Sequence, residues 1–304
     1  MMIETFSRAL QYSAIGDAIG DPFEFRQNIN PAEVRGFVRH DTSEIVITDD
    51  TQMSLFGLEA LSRAQQPFDI AAVQRSYIDW YWTQQVAGPH TLTRHDSWLR
   101  RQREMCAFRA PGATCLSALD ALQSGRTVYN DSKGCGAVMR LLPFVVLFEK
   151  FDPEAVVNFA IQTGLLTHQH EEIPFAVRVY MEVAYTLITG NQFLTAEVAD
   201  HVNELILRDI SHISEIGAGW TALECVDMAI WTMYHSVALE DCIVNSVAHD
   251  GDSDSVAAVA CGLYGLGGGV GFCNATFVQC WDRLKERRII ETMIARFVNN
   301  HTLW

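Results

Sequence analysis

The chain has 304 residues, 49% of them apolar and 19% charged, which is enough apolar material for a sizeable core and excludes a disordered chain. Its formal net charge of −15 excludes nucleic acid as the main partner, because phosphate backbones select basic surfaces. An anionic ligand would need bound cations to offset so acidic a protein.

In chain order, the first segment, MMIETFSRAL, lacks a basic stretch followed by an apolar run, so no secretory signal is expected. Gly36 to His40 and Glu44 to Ile47 are the only strand-like runs, and both are short. Met53 to Ala64 is apolar at helical spacing. Ile70, Val73, Tyr77, Trp80 and Tyr81 repeat it behind a predicted N-cap at Asp69. The Tyr77, Trp80, Tyr81, Trp82 group reads as core rather than as a platform for a base, and Arg94 to Arg103 reads as a solvated basic face. Ala155 to Thr163, Glu171 to Ile188, the run Val198, Val202, Leu205, Ile206 behind Thr195, and Trp220 to His235 continue the helical pattern.

Val256 to Cys273 carries no charge and reaches the lower limit for a membrane span, but its six glycines, with Gly267-Gly268-Gly269 in a run, break a helix. A buried helix with close-packing glycines is expected, with no membrane association. Eight cysteines without a CxxC pair point to reduced thiols and a cytoplasmic protein. The predicted fold is all-α, a compact multi-helix bundle in which residues 1–304 form a single domain.

Three acidic clusters lie where helices start or end: Gly16-Asp17-Ala18-Ile19-Gly20-Asp21-Pro22 with Phe23-Glu24-Phe25, then Thr48-Asp49-Asp50-Thr51, then Asp250-Gly251-Asp252-Ser253-Asp254-Ser255. Capping and the helix dipole explain one acid per helix start. Adjacent aspartates repel, however, and several carboxylate and hydroxyl oxygens converging from different segments are what hard divalent cations require. A calcium loop of the EF-hand type would need a glutamate at its twelfth position, where this chain is apolar.

A fourth feature, Asp131-Ser132-Lys133-Gly134-Cys135-Gly136-Ala137-Val138-Met139-Arg140, offers glycine amides for phosphate beside two cationic side chains, although a tight turn capped by Ser132 explains it equally well. His168 and His170, with Glu171 and Glu172, do not make a transition-metal pair, since residues i and i+2 of a helix diverge. No histidine can be paired with Cys135 to make it a nucleophile.

GDAIGDPFEF, TDDTQM, SKGCGAVMR and HDGDSDSVAA resemble, in order, the four signatures of the ADP-ribosylglycohydrolase family, from about Gly16 to about Gly271. Glu215-Ile216-Gly217-Ala218-Gly219-Trp220 is similar to a family segment lining the substrate cleft. The resemblance implies an orthogonal all-α bundle with two Mg2+ ions, or Mn2+, at the base of a cleft. It implies Thr48, Asp49, Asp50, Asp252, Asp254 and Ser255 as metal ligands, and Glu24 as a metal-linked acid near the reacting sugar. Glu24 and Asp49 are the expected proton carriers. Ser132, Lys133, Gly134, Cys135 and Gly136 would hold the diphosphate, and His168 would lie in the cleft. This chain departs from the commonest pattern at Cys135, where asparagine is usual, at Ser253 and Ser255, where threonine is usual, and at Asp250, where glycine is usual. Asp250 is therefore expected to add charge near the ions.

The reaction implied is hydrolysis of the bond at C1 of the distal ribose, releasing ADP-ribose from a modified protein side chain, arginine foremost. The alternatives are release from a small molecule or a nucleic-acid base, and an immunity protein that neutralises an ADP-ribosyltransferase toxin by occluding it.

Overall fold

The computed structural model describes residues 2–85, 97–268 and 274–300, and structural statements here concern these. Among them the regular structure is helical and no sheet forms.

Two apolar helices with small residues on their facing sides organise the rest. They are α1 (Met2–Gly20) and the helix Ser253–Leu266, whose residues are all buried. A Cβ on Gly16 would stand 2.3 Å from the Ala257 carbonyl oxygen, one on Gly20 2.4 Å from Cα of Asp254, and one on Gly265 2.6 Å from Cα of Ala9. The two backbones therefore touch, and the order of contacts makes the helices antiparallel. The C-terminal end of α1, with Asp17, is thereby fixed beside the N-terminal end of Ser253–Leu266, with Asp252 and Asp254. Gly265→Ala, at the opposite end of this pair, is expected to destabilise the fold by about 1–3 kcal/mol in chemical denaturation.

In chain order, α2 (Pro31–His40) starts at Asn30, whose side chain accepts from the Ala32 amide at 2.8 Å. The strand-like run at 36–40 is thus helical: cap and proline start the helix upstream, and Val34 and Val38 bury one face of it. In the run 44–47, Ile45 makes one isolated bridge to Leu284. α3 (Asp49–Arg63) brings its N-terminus, capped by Thr48, to the junction of the central pair. α4 (Ile70–Gln85) packs on α3 behind the predicted Asp69 cap, whose Oδ1 accepts from the Ala72 amide at 2.9 Å. Tyr77 and Trp80 are fully buried, and Trp80 Nε1 donates to Gln52 at 3.0 Å, so they belong to the core.

Part of the expected basic face lies outside the described residues. Arg100 does not conform to it, being buried and ion-paired with Asp79 at 3.0 Å. Then come α5 (Ala113–Gln123), α6 (Pro153–Leu165), α7 (Ile173–Thr189), α8 (Ala196–Leu207), α9 (Ala222–Tyr234), α10 (Leu239–Val247), α11 (the helix Ser253–Leu266), α12 (Ala275–Arg283) and α13 (Arg287–Asn300). The predicted helix Val256 to Cys273 corresponds to α11, which begins earlier and stops at Leu266; residues 269–273 lie outside the described set. Among the described residues no helix is long and apolar enough to cross a membrane.

Candidate active site

The ends of α1, α3 and α11 converge on the floor of a cleft of about 340 Å3, within the range of small-molecule sites. Asp17, fully buried on α1, holds the start of α3. One carboxylate oxygen accepts from the Thr48 amide at 3.0 Å and the Thr48 hydroxyl at 2.7 Å, and the other from the amide and hydroxyl of Thr51. Asp50 follows within the first turn of α3, and its Oδ2 accepts from the Thr48 hydroxyl at 3.0 Å. Asp252 caps α11, with Oδ1 accepting from the Ser255 amide at 3.4 Å. Asp49 accepts from the Gly112 amide at 3.2 Å.

Thr48, Asp49, Asp50, Asp252, Asp254 and Ser255 are all buried, and all but Thr48 line the cleft together with Glu24. Two sets of three carboxylates, Asp17 with Asp50 and Asp254, and Glu24 with Asp252 and Asp254, each present oxygens within 4.8 Å of one another. Burial is the first cause raising the pKa of every one of these carboxyls, and neighbouring acids add to it at all but Asp254; Glu24 and Asp50 are pushed up to about 8. Asp50 Oδ1 and Asp254 Oδ1 are buried with no hydrogen-bond partner. Unpartnered buried carboxylate oxygens beside like charges are costly unless a cation completes them. The donors on the floor are carboxylates and hydroxyls, the set that hard divalent cations take, and the residues fit such ions.

Gly134, Cys135, Gly136 and His168 line one wall. His168 is buried, contacts the Thr167 hydroxyl through Nδ1 at 2.9 Å, and is pushed down to about 3 by desolvation and by Arg140, so it is neutral. It backs the glycine loop, since a Cβ on Gly136 would come within 2.9 Å of its ring. Cys135 turns its thiol to Asp252, with Sγ 2.8 Å from Oδ2, while its amide donates to the Trp220 carbonyl at 3.0 Å.

Ser132 and Lys133 depart from the expected diphosphate cradle, since neither lines the cleft. Ser132 meets the Thr114 hydroxyl at 3.1 Å, and the half-exposed Lys133 pairs with the partly buried Glu172 at 3.6 Å, where the ammonium keeps its water. Lys133→Ala is therefore expected to change KM by no more than about three-fold in steady-state assays. Arg140 is fully buried in the core over Tyr77, donating to the Thr167 hydroxyl at 2.6 Å, and reaches no phosphate site. Asp250 accepts from the Ile29 amide at 3.4 Å and does not line the cleft, so it adds no charge there. His170 lies in a loop rather than a helix, and its Nδ1 accepts from the Glu172 amide at 3.1 Å.

Two contributions were not among the expected site residues. Asp17 stands in the first acidic cluster, but nothing local marks it as the acid that holds Thr48 and Thr51. The opposite wall, residues 110–115, leads into α5, whose N-cap Gly112 makes no side-chain cap hydrogen bond, so its first amides have no capping side chain. Phe25 and Trp220 stack at 5.4 Å on the lining, both exposed, and Phe25 takes the left-handed φ of 62°.

An all-α chain with such a cleft is a hydrolase of the glycohydrolase class, on the following likenesses. A family model described as ADP-ribosylglycohydrolase matches residues 4–303. The chain belongs to the ADP-ribosylglycohydrolase family, whose activity is hydrolysis of ADP-ribose linkages. It is 26% identical over 287 residues to the ADP-ribosyl-[dinitrogen reductase] glycohydrolase of Rhodospirillum rubrum, covering 91% of this chain and 90% of that one. An uncharacterized protein of Archaeoglobus fulgidus is 24% identical over 330 aligned positions, 99% of this chain and 98% of the relative. The fold matches an ADP-ribosylglycohydrolase-related protein complex with a TM-score of 0.68 at 21% identity, over 98% of each chain.

Proposed function

We propose that the chain acts as one catalytic domain that hydrolyses the N-glycosidic bond between ADP-ribose and an arginine side chain, and depends on divalent cations, magnesium or manganese. The observation carrying this reading is the pair of unpartnered buried oxygens, on Asp50 and Asp254, between acids from three helices. Thr48, Asp49, Asp50, Asp252, Asp254 and Ser255 would hold two ions, with Asp17 fixing Thr48. Bound there, the ions supply positive charge that offsets the acids and orients the ribose hydroxyls.

The chain's own groups do the rest. Glu24, half-buried on the cleft lining, gives a proton to the leaving guanidine nitrogen. Asp49, held by Gly112, takes a proton from the attacking water as the C1–O bond forms and C1–N breaks. The amides at the start of α5 and of Gly136 would face the diphosphate, those of Gly134 and Cys135 being bonded to Ser132 and Trp220. Among the described residues no lysine or arginine lines the cleft, and the exposed Phe25–Trp220 pair beside Glu24 suits a planar cationic leaving group.

Dinitrogen reductase is a target named for the Rhodospirillum relative alone, and occlusion of a toxin has no observation in its favour. The test is incubation with arginine-, serine- and nucleotide-linked ADP-ribose. Release from the arginine conjugate at least about 10²-fold faster than from the others supports the reading. Preference for another linkage overturns it.

A further inference from the structure

The segment carrying Thr48, Asp49 and Asp50 is held from behind by a residue outside the cleft. Glu286, immediately before α13, is buried, and its two carboxylate oxygens go to two different stretches of chain. One accepts from the Ile47 amide at 3.3 Å, 239 residues away, and the other from the Arg109 guanidinium at 3.4 Å. The Glu286 carbonyl takes the Ile289 and Ile290 amides, which leaves the carboxylate for these partners. Glu286 is itself fixed in place. Ile45 donates its amide to the Arg283 carbonyl at 3.1 Å and accepts from the Lys285 amide at 3.0 Å. The two stretches that Glu286 joins meet again at the cleft. The Arg109 carbonyl accepts from the Asp49 amide at 3.0 Å, and the Gly112 amide donates to Asp49 Oδ2 at 3.2 Å. Between them Ala110 takes a left-handed φ of 48°, which a residue with a Cβ keeps only where its surroundings hold it. Asp49, Ala110 and Gly112 line the cleft, whereas Ile47, Arg109 and Glu286 do not.

We propose that Glu286 is a positioning residue. Through Ile47 and Arg109 it braces the Thr48–Asp50 segment against the wall at residues 109–112, and so sets where the Asp49 carboxylate stands. Neither Glu286 nor Arg109 lines the ligand space, so the brace acts on the reaction rather than on binding. Charge matters here as well as shape. A carboxylate accepts from both donors at once, whereas a glutamine would turn its own N–H groups toward one of them. The link from Asp49 to proton transfer rests on the mechanism proposed above. The brace itself does not.

The test combines steady-state hydrolysis and hydrogen exchange on the full chain, with the ADP-ribose conjugate that the wild type cleaves fastest. Glu286→Gln and Arg109→Met are expected to lower kcat by about 10- to 100-fold with KM within about three-fold, the scale of a misplacement near 1 Å. Arg109→Lys, which keeps a cation facing Glu286, should recover kcat to within about five-fold of the wild type. Exchange followed by mass spectrometry should be at least about ten-fold faster in Arg109→Met for peptides covering residues 45–52 and 108–114, and unchanged for peptides from α6 and α7. Circular dichroism confirms folding; should Glu286→Gln fail to fold, the two Arg109 variants carry the test. Unchanged kcat in the folded variants, a loss confined to KM, or faster exchange shared by every peptide overturns the proposal. So does an Arg109→Lys protein as impaired as Arg109→Met. Chelator-resistant hydrolysis by the wild type would sink the cation-dependent reading alone, and the same comparison of kcat then still decides the brace.

Discussion

Asp254→Asn is expected to lower kcat for ADP-ribose release by at least about 10³-fold, the scale seen when one preorganised electrostatic group is removed from an active site. Asp254 belongs to both sets of converging carboxylates and carries one of the two unpartnered buried oxygens, so no other single residue touches as much of the cluster. The amide preserves shape and burial while removing the charge that a cation would meet. Without cations, the same change relieves repulsion among Asp17, Asp50, Asp252 and Glu24, and so should raise the melting temperature in chelator. Lost activity with gained metal-free stability separates a functional role from a structural one. A variant that is less stable in chelator, or that retains more than a tenth of the activity, contradicts the assignment.

In chelator, the melting temperature is expected to fall as the pH rises from 5 to 8. The folded-state pKa of Asp50 is about 8, raised by burial and then by Asp254, whereas an aspartate in an unfolded chain titrates near 4. Between those values the folded protein holds a proton that the unfolded chain has released. Raising the pH therefore favours unfolding across this window, and the penalty is complete above the folded value. Asp17, Asp49, Asp252 and Asp254 are shifted in the same direction. This is the reverse of an ion-paired carboxylate, whose stabilisation grows with pH. The decline should be on the order of 5–10 °C in a scanning experiment, and saturating magnesium should remove most of it by replacing the protons. A melting temperature that rises over this interval in chelator would show that the acids are compensated within the chain itself.

Much of this arrangement was legible in the sequence because its signals are local. The Thr48 and Asp69 caps, the α3 and α4 periodicities and the adjacent aspartates each follow from a few consecutive residues. What escaped depends on distant partners. Asp17 gains its meaning from Thr48 and Thr51, more than thirty residues away. Lys133 and Arg140 look alike as charges in a glycine-rich loop, yet one is drawn outward by Glu172 and the other inward by Thr167 and Tyr77. The run Gly36 to His40 is short and strand-like by itself, but the Asn30–Pro31 start decides for helix. The glycines of α11 suggested close packing correctly, although the partner of Gly265, Ala9 on α1, could not be read from either segment alone.

The decisive measurement is release of ADP-ribose from an arginine-linked conjugate by chelator-treated protein, as Mg2+ is returned stepwise and its binding is followed by calorimetry on the same sample. No release before addition, followed by recovery that tracks filling of the Asp50–Asp254 cluster and is absent in Asp254→Asn, is the predicted result. Full release in chelator, with no heat of Mg2+ binding, would contradict it.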